Sequence, residues 1–164
     1  MDIKKKLEVM AQIEAANKRH LEQWKQEEAQ KMLAVFVDVY GSGLVKAVRV
    51  KDDLDEFYSF LDCTTIDMPT RWIGGKEFVV ICDDEALFRN GYKPSAYNGN
   101  ERMLVGNLLI VADAGGGEVR GLTWDEVVHI MSRIRGFSRT EPDGSTSTWV
   151  GLIDVTYTQD EGNH

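Results

Sequence analysis

The chain starts with a helical pattern of apolar and polar residues. Residues 3–33 contain no Gly or Pro and are rich in Ala, Glu, Gln and Lys, which favour helices. Apolar side chains recur at alternating steps of four and three, at Ile3, Leu7, Met10, Leu21 and Trp24, while Glu14, Asn17 and Glu28 occupy the remaining positions of this seam. The spacing predicts one long helix from Ile3 to about Leu33.

The polar residues in the seam argue against a strong autonomous coiled coil. Three arrangements stay open at this point. The helix packs on its own domain near Met32, it packs on another copy through Leu21 and Trp24, or it is a mostly solvated amphipathic helix.

From Leu33 onward the periodicity is that of strands. The runs "LAVFVDVY" (33–40) and "LVKAVRV" (44–50), joined by "GSG", predict a hairpin. Asp52 or Asp53 then caps a predicted short helix that carries Leu54, Phe57, Tyr58 and Leu61 at helical spacing. Further strands are predicted at 64–68 and 78–83, separated by a "PTRWIGG" turn, and at 103–113, with a bulge or close backbone approach at Gly106.

Three glycines, Gly115–Gly117, lie between an apolar run and a helical pattern, where phosphate-binding loops often occur. A Walker loop would end in GK[ST], but Glu118 follows here, and a match to G-x-G-x-x-G requires a forced alignment. The helix starts only at Thr123, where "TWDE" predicts a capping box. The glycines are therefore interpreted as a flexible turn.

The helix after Thr123 is predicted to run from Trp124 to Arg135, with Gly136 as the C-cap. Arg133, Arg135 and Arg139 would then complement the dipole at the helix end, with an anion or partner contact as the alternative. His129 is expected at an exposed or core-edge position, since no oriented acid or nucleophile lies near it in sequence.

Together these elements predict an α+β fold. We expect an antiparallel or mixed sheet of about five to six strands, two packed helices and a long N-terminal helix. The predicted division is a helical extension over 1–33 and a single α+β domain over 34–164, which includes a strand at 147–158.

Charge separates the two predicted parts. Residues 1–33 carry seven Lys/Arg and six Asp/Glu, whereas the other 131 residues carry twelve and twenty-one, so the globular part accounts for the net charge of −8. Because nucleic-acid affinity comes largely from neutralising phosphates, this balance argues against direct nucleic-acid binding. It fits either plain solubility or an acidic surface that covers a basic site on a partner.

The remaining composition excludes several classes. The chain has neither a long apolar span nor a signal-like segment, so no membrane association and a cytoplasmic location are expected. Cys63 and Cys82 indicate reduced, partly buried thiols. No catalytic motif, cofactor site or metal site is predicted; the turn at Asp83, Asp84 and Glu85 could supply oxygen ligands but is interpreted as solvated. Trp72 and Trp149 are expected to pack rather than stack on bases.

Several segments occur in the order found in a known family. "KAVRVKDDLDEFYSFL", "VVICDDEALFRNGYKPSAYN", "LVGNLLIVAD" and "GLTWDEV" resemble parts of the domain of unknown function 3846, which occurs in small proteins of bacteria, phages and mobile elements. The resemblance covers about residues 44–134, and it implies no reaction, cofactor or catalytic residue. The helix at 1–33 and the strand at 147–158 depart from the family pattern.

The expected function is protein binding by a non-enzymatic accessory protein of a phage or mobile element, acting as an acidic inhibitor of a host defence protein that binds nucleic acid. The alternative is a protein that binds or sequesters a small molecule or nucleotide, with the loop at 83–99 and the glycine turn as rims. A self-assembling protein organised by its N-terminal helix is the third possibility. The predicted partner-binding residues are Leu21, Trp24, Asp83, Asp84, Glu85, Arg133 and Arg135.

Overall fold

The computed structural model describes residues 2–158, within which lie three α-helices, one 3₁₀ helix and twelve strands. The helices are α1 (Ile3–Ala29), α2 (Leu54–Leu61) and α3 (Trp124–Met131), and the 3₁₀ helix is Ala86–Phe88. The strands are β1 (Lys31–Asp38), β2 (Leu44–Lys51), β3 (Ile66–Asp67), β4 (Thr70–Ile73), β5 (Lys76–Asp83), β6 (Pro94–Asn98), β7 (Glu101–Val105), β8 (Leu108–Gly115), β9 (Glu118–Arg120), β10 (Ile134–Thr140), β11 (Thr146–Leu152) and β12 (Val155–Tyr157).

The predicted α+β class and the long N-terminal helix are confirmed, but the predicted number of strands is wrong. One sheet has eight strands in the order β12-β4-β5-β8-β1-β2, with β3 paired to β5 and β9 paired to β8. A second sheet has four strands in the order β10-β11-β6-β7. Several short strands lie in segments that lack a strand pattern of their own, so the sequence underestimates the count.

The chain divides into two compact units between Lys31 and Met32. The first contains α1, whose N-cap Asp2 accepts a hydrogen bond from the Lys5 N–H at 2.7 Å. The helix ends at Ala29, earlier than predicted, because β1 already begins at Lys31. Met1 and residues 159–164, which the predicted segments include, lie outside the described residues.

The second unit has a core on each face of the larger sheet. Between the two sheets, Val35, Val80 and Ile110 pack with Leu152 and with Ile130 of α3. On the opposite face, the side chains that α2 covers are Ala34, Phe36, Val50, Val79, Ile81, Leu109 and Val111. The layers are therefore α2, the eight-stranded sheet, and a core closed by α3 and the four-stranded sheet.

Several local predictions are confirmed. β1 and β2 are neighbours joined by the "GSG" turn, and Asp53 caps α2 by accepting from the Glu56 N–H at 2.8 Å. At α3, Thr123 and Glu126 form the predicted capping box. Gly116 and Gly117 form the turn between β8 and β9, Gly115 ends β8, and all three have a positive φ.

Three predicted elements are wrong because long-range pairing overrides the local pattern. The "PTRWIGG" segment contains β4, which pairs with β5 and β12, so only Gly74 and Gly75 form the turn. The apolar run at 103–113 is divided at Gly106, whose φ of 79° breaks the strand, and β7 and β8 enter different sheets. The segment 147–158 likewise contributes β11 and β12 to different sheets.

The predicted end of the last helix is also wrong. α3 stops at Met131, and residues from Ile134 onward form β10, which pairs with β11 over seven residues from Ile134↔Leu152 to Thr140↔Thr146. This ladder satisfies backbone groups that a longer helix would otherwise pair. Gly136 therefore lies within a strand instead of capping a helix. Of the described helices, none is both long and apolar enough to span a bilayer.

Candidate functional site

Three polar side chains lie in a row where the central strands of the larger sheet end. β1 and β5 flank β8, and Leu108 of β8 pairs with the last residue but one of each. One position further along, Asp38, Asn107 and Asp83 therefore occupy adjacent places across three strands, and all three are buried. Val37, Cys82 and Leu108, the neighbours of these three residues, face the core between the two sheets. Because successive residues of a strand face opposite sides of the sheet, this polar row faces α2.

Asp38 organises the turn after β1. Its carboxylate accepts hydrogen bonds from the N–H groups of Gly41 (3.0 Å) and Ser42 (2.9 Å) and from the Ser42 hydroxyl (3.0 Å). Lys46 Nζ lies 3.7 Å from the same carboxylate. Burial raises the pKa of Asp38, but the hydrogen bonds and the charge of Lys46 outweigh it, and the pKa lies below its usual value. Asp38 is thus an ionised acceptor at neutral pH.

Asn107 joins the end of β1 to the start of β8. Its Oδ1 accepts from the Tyr40 N–H at 3.2 Å, and its Nδ2 donates to Asp38 at 3.4 Å. The preceding Gly106 donates its N–H to the Lys93 carbonyl at 2.8 Å, and Tyr40 Oη accepts from the Lys93 N–H at 3.3 Å. These bonds hold the loop before β6 against the polar row.

Asp83, the third member of the row, fixes the loop after β5. Its carboxylate accepts from Arg89 Nε and from the Glu85 N–H, the latter at 2.9 Å. Arg89 also donates to the backbone carbonyl of Asp62 at 2.9 Å, which ties the loop to the end of α2. The hydrogen bond to Asp83 raises the pKa of Arg89. The predicted solvated turn is therefore only partly correct, because Asp83 is buried and paired while Asp84 and Glu85 are exposed.

A cavity of about 620 Å³ lies against this row. The loop at 83–99 contributes Asp83, Ala86, Arg89 and Asn90 to its lining, whereas Gly115–Gly117 do not line it. Asn107 binds Asp38, and Asp83 binds Arg89 and the Glu85 N–H, so these hydrogen bonds account for the loop geometry without a ligand. Among residues 2–158, no three His, Cys, Asp or Glu side chains come together as a metal-binding group.

The N-terminal helix carries an apolar stripe with no buried member. This helix stripe comprises Ile3, Leu7, Met10, Ile13, Leu21 and Trp24, each at least half exposed. Ile13 follows Met10 by three residues and belongs to the stripe, although the 4-3 seam omits it. Leu21 and Trp24, which were predicted to bind a partner, lie together at 50% and 54% exposure.

A second exposed apolar pair follows the acidic turn. Leu87 and Phe88 of the 3₁₀ helix are 56% and 88% exposed, and Asp84 and Glu85 precede them directly. An aromatic side chain with carboxylates beside it can provide both contact area and charge at a protein interface. The sequence analysis missed this pair because two adjacent apolar residues in a loop carry no periodic signal.

The three arginines expected at a helix end are separated in the structure. Arg133 lies in the connection after α3, where its Nε is 3.2 Å from the Asp154 carboxylate. Arg135 and Arg139 belong to β10 and share one face of it, two positions on either side of Phe137. The helix-dipole interpretation is therefore wrong for these two residues.

His129 lies at the edge of the core, as predicted. Its Nε2 is 2.8 Å from the Ile73 carbonyl, and its ring lies 6.2 Å from the Phe78 ring. A Cβ at Gly74 would be 3.0 Å from that nitrogen, so the glycine leaves space for the imidazole. This arrangement supports a structural role for His129.

One face of the smaller sheet forms what we call the aromatic-arginine groove, with a volume of about 410 Å³. Its lining side chains include Tyr92, Tyr97, Arg102, Phe137, Arg139 and Trp149. Tyr97 and Phe137 stack with ring centroids 5.1 Å apart, across Gly151 of the intervening strand. A Cβ at Gly151 would lie 2.7 Å from the Phe137 ring, so this stacking depends on the glycine.

Cations surround these aromatic rings. The Arg135 guanidinium lies 4.8 Å from the Phe137 ring centre, and the Arg102 guanidinium lies 5.2 Å from that of Tyr92. Arg139 is held by Glu141 and by the carbonyls of the 91–92 loop, so its hydrogen bonds support the groove wall. The groove is locally cationic in a chain with net charge −8. Only strand pairing reveals this, because its members are distant in sequence.

The cysteines are both free, as predicted, and neither is suited to nucleophilic chemistry. Burial raises the pKa of Cys82 to about 12, and it also raises the pKa of the half-buried Cys63. A thiol must ionise to act as a nucleophile, so both remain neutral at physiological pH.

No protein-family model, curated protein or solved structure matches the chain. The resemblance of residues 44–134 to the domain of unknown function 3846 therefore stays a prediction.

Proposed function

We propose that this chain is a non-enzymatic accessory protein that acts by binding another protein, with the helix stripe as its main contact surface. The observation that carries the proposal is the exposure of six apolar side chains along one face of α1. Glu14 and Asn17 divide the stripe into two apolar clusters, and exposed apolar clusters of this kind mark candidate interaction sites. Most helical stability in proteins comes from packing of an amphipathic face, so a partner that covers the stripe would stabilise α1.

The acidic turn supplies a second contact in this proposal. Asp84 and Glu85 are exposed beside Leu87 and Phe88, which suits a partner that presents basic residues around an apolar recess. The excess of carboxylates in residues 34–164 supports a partner whose own ligand is nucleic acid. Assignment to a phage or mobile element, and to inhibition of host defence, rests on the family resemblance together with this charge.

A pull-down from bacterial lysate tests the proposal. The tagged full chain is compared with a Leu21→Asp/Trp24→Asp variant and with a Gln12→Asp/Gln26→Asp control, which adds the same charge to the opposite helix face. We expect a specific protein to be retained by the parent chain and the control and lost by the stripe variant. Identical retention by all three chains would refute the stripe as the contact surface.

A second candidate function, nucleotide binding, is supported by the aromatic-arginine groove. Its volume lies in the range of small-molecule sites, its aromatic rings can stack on a base, and Arg102 and Arg135 can donate to phosphate oxygens. A mononucleotide fits the charge better than a long strand, because a long strand would extend from the groove over an acidic surface.

Calorimetric titration tests this candidate with AMP, adenosine, inorganic phosphate and a fifteen-nucleotide oligo(dT) as probes. AMP should bind more tightly than adenosine or phosphate, and Arg135→Ala should weaken it roughly tenfold, the loss of one charge-assisted hydrogen bond. Arg49→Ala on β2, also exposed, serves as the charge-matched control. Equal AMP affinity in both variants would remove the groove as the site, and tighter binding of oligo(dT) would assign it to single strands instead.

A further inference from the structure

The helix stripe has an internal symmetry that points to its occupant. The seam positions 3, 7, 10, 14, 17, 21, 24 and 28 are all on the described helix, and they form pairs whose numbers sum to 31. Two copies of the helix in antiparallel orientation, centred between residues 15 and 16, would place these pairs opposite each other. The symmetry can therefore be tested on the chemistry of each pair.

The antiparallel pairs match apolar with apolar and polar with polar. Leu7 faces Trp24 of the second copy, and Met10 faces Leu21 of the second copy. Each of these contacts occurs twice in the symmetric pair, which gives four apolar layers. Glu14 faces Asn17 at the centre, where the amide can donate to the carboxylate. Only the terminal layers, Ile3 with Glu28, are mixed, and they lie where helix ends fray.

A parallel pair of the same helices is much less compatible with the sequence. It would place Glu14 against Glu14 and Glu28 against Glu28 within the seam, and like charges at close range repel. The antiparallel pair removes both contacts. On one flank it also brings Lys6 near Glu27 of the second copy, while Lys4 and Lys25 meet on the other flank, where exposed charges contribute little.

We propose that the helix stripe binds the stripe of a second copy of this chain in antiparallel orientation, with Leu7 against Trp24 and Met10 against Leu21. This inference rests on the proposed function, because it concerns the same surface, for which a second copy and the other partner protein would compete. The polar central layers make the pair weak enough to depend on protein concentration, since polar residues in a seam fix its register at a cost in stability.

Site-directed disulfide formation tests orientation and register. The parent is the full chain with Cys63→Ser and Cys82→Ala, verified by circular dichroism and thermal unfolding to keep the fold. Leu7→Cys and Trp24→Cys are introduced separately, and one of the two chains carries a mass tag. Equimolar mixtures are oxidised and analysed by mass spectrometry, with Gln12→Cys on the opposite helix face as the control.

An antiparallel pair predicts a disulfide between the two different variants, at least tenfold more abundant than either disulfide between identical chains, and little cross-linking by the control. Disulfides mainly between identical chains would overturn the orientation. Sedimentation equilibrium of the unmodified chain should show a dimer whose population rises with concentration, and a monomer throughout would overturn self-association. If the chain is a monomer, the lysate pull-down can still retain a protein with the parent chain and lose it with the stripe variant. A monomer therefore refutes this inference without refuting the proposed function.

Discussion

At the scale of single residues, the polar row of Asp38, Asn107 and Asp83 shows how one carboxylate can determine the conformation of a turn. Asp38 is buried, yet it stays ionised because Gly41 and Ser42 direct their hydrogen-bond donors at it and Lys46 lies nearby. Its role is visible only after folding, since Asn107 reaches it from a distance of 69 residues along the chain. A polar residue at the end of an apolar strand therefore merits attention even when no motif surrounds it.

Asp38→Asn should lower the free energy of unfolding at pH 7 by about 1–3 kcal/mol, because the amide replaces an acceptor of several donors. The folded-state pKa of Asp38 is depressed, so its contribution is present above the unfolded pKa and is lost as pH falls through the folded pKa. The difference between variant and parent should thus shrink as the pH falls below the unfolded pKa. Urea unfolding at pH 7, 5 and 3 measures it, with the exposed Asp52→Asn as control.

At the scale of elements, the sequence specifies where helices begin better than where they end. Asp53 and Thr123 cap α2 and α3 through bonds to residues three positions later, so both starts can be predicted from adjacent residues. The end of α3 depends instead on the pairing of Ile134 with Leu152, eighteen positions away. The division of the apolar run at Gly106 likewise depends on which sheet accepts each half.

Thr123→Ala should destabilise the chain by about 1 kcal/mol, because it removes the side-chain acceptor of the Glu126 N–H and leaves half of the capping box. Arg120 holds the Glu126 carboxylate at 2.9 Å, so part of the cap should survive. Thermal and urea unfolding measure the loss. Thr64→Ala, at an exposed bend, should change stability by less than half as much; an equal change would contradict the capping argument.

At the scale of the whole molecule, net charge predicts less than the distribution of charge. The total of −8 led to the expectation of no direct nucleic-acid contact, and that expectation stays a prediction. Yet Arg102, Arg135 and Arg139 meet on one sheet face, although 37 positions separate the first from the last along the sequence. Leu21 and Trp24 share an exposed surface through helical spacing alone, so their common face could be predicted from the sequence, while their role in partner binding stays a prediction.

In the larger sheet, several neighbouring strands are far apart in sequence and are therefore synthesised at different times. β1 is made early, but its neighbour β8 follows about seventy residues later, and β12, which pairs with β4, comes later still. Pairing between distant segments makes folding slow and leaves unpaired strands exposed meanwhile. The β1–β2 hairpin is therefore synthesised before the strand that pairs with β1, and the larger sheet can be completed only after residue 157 has been synthesised.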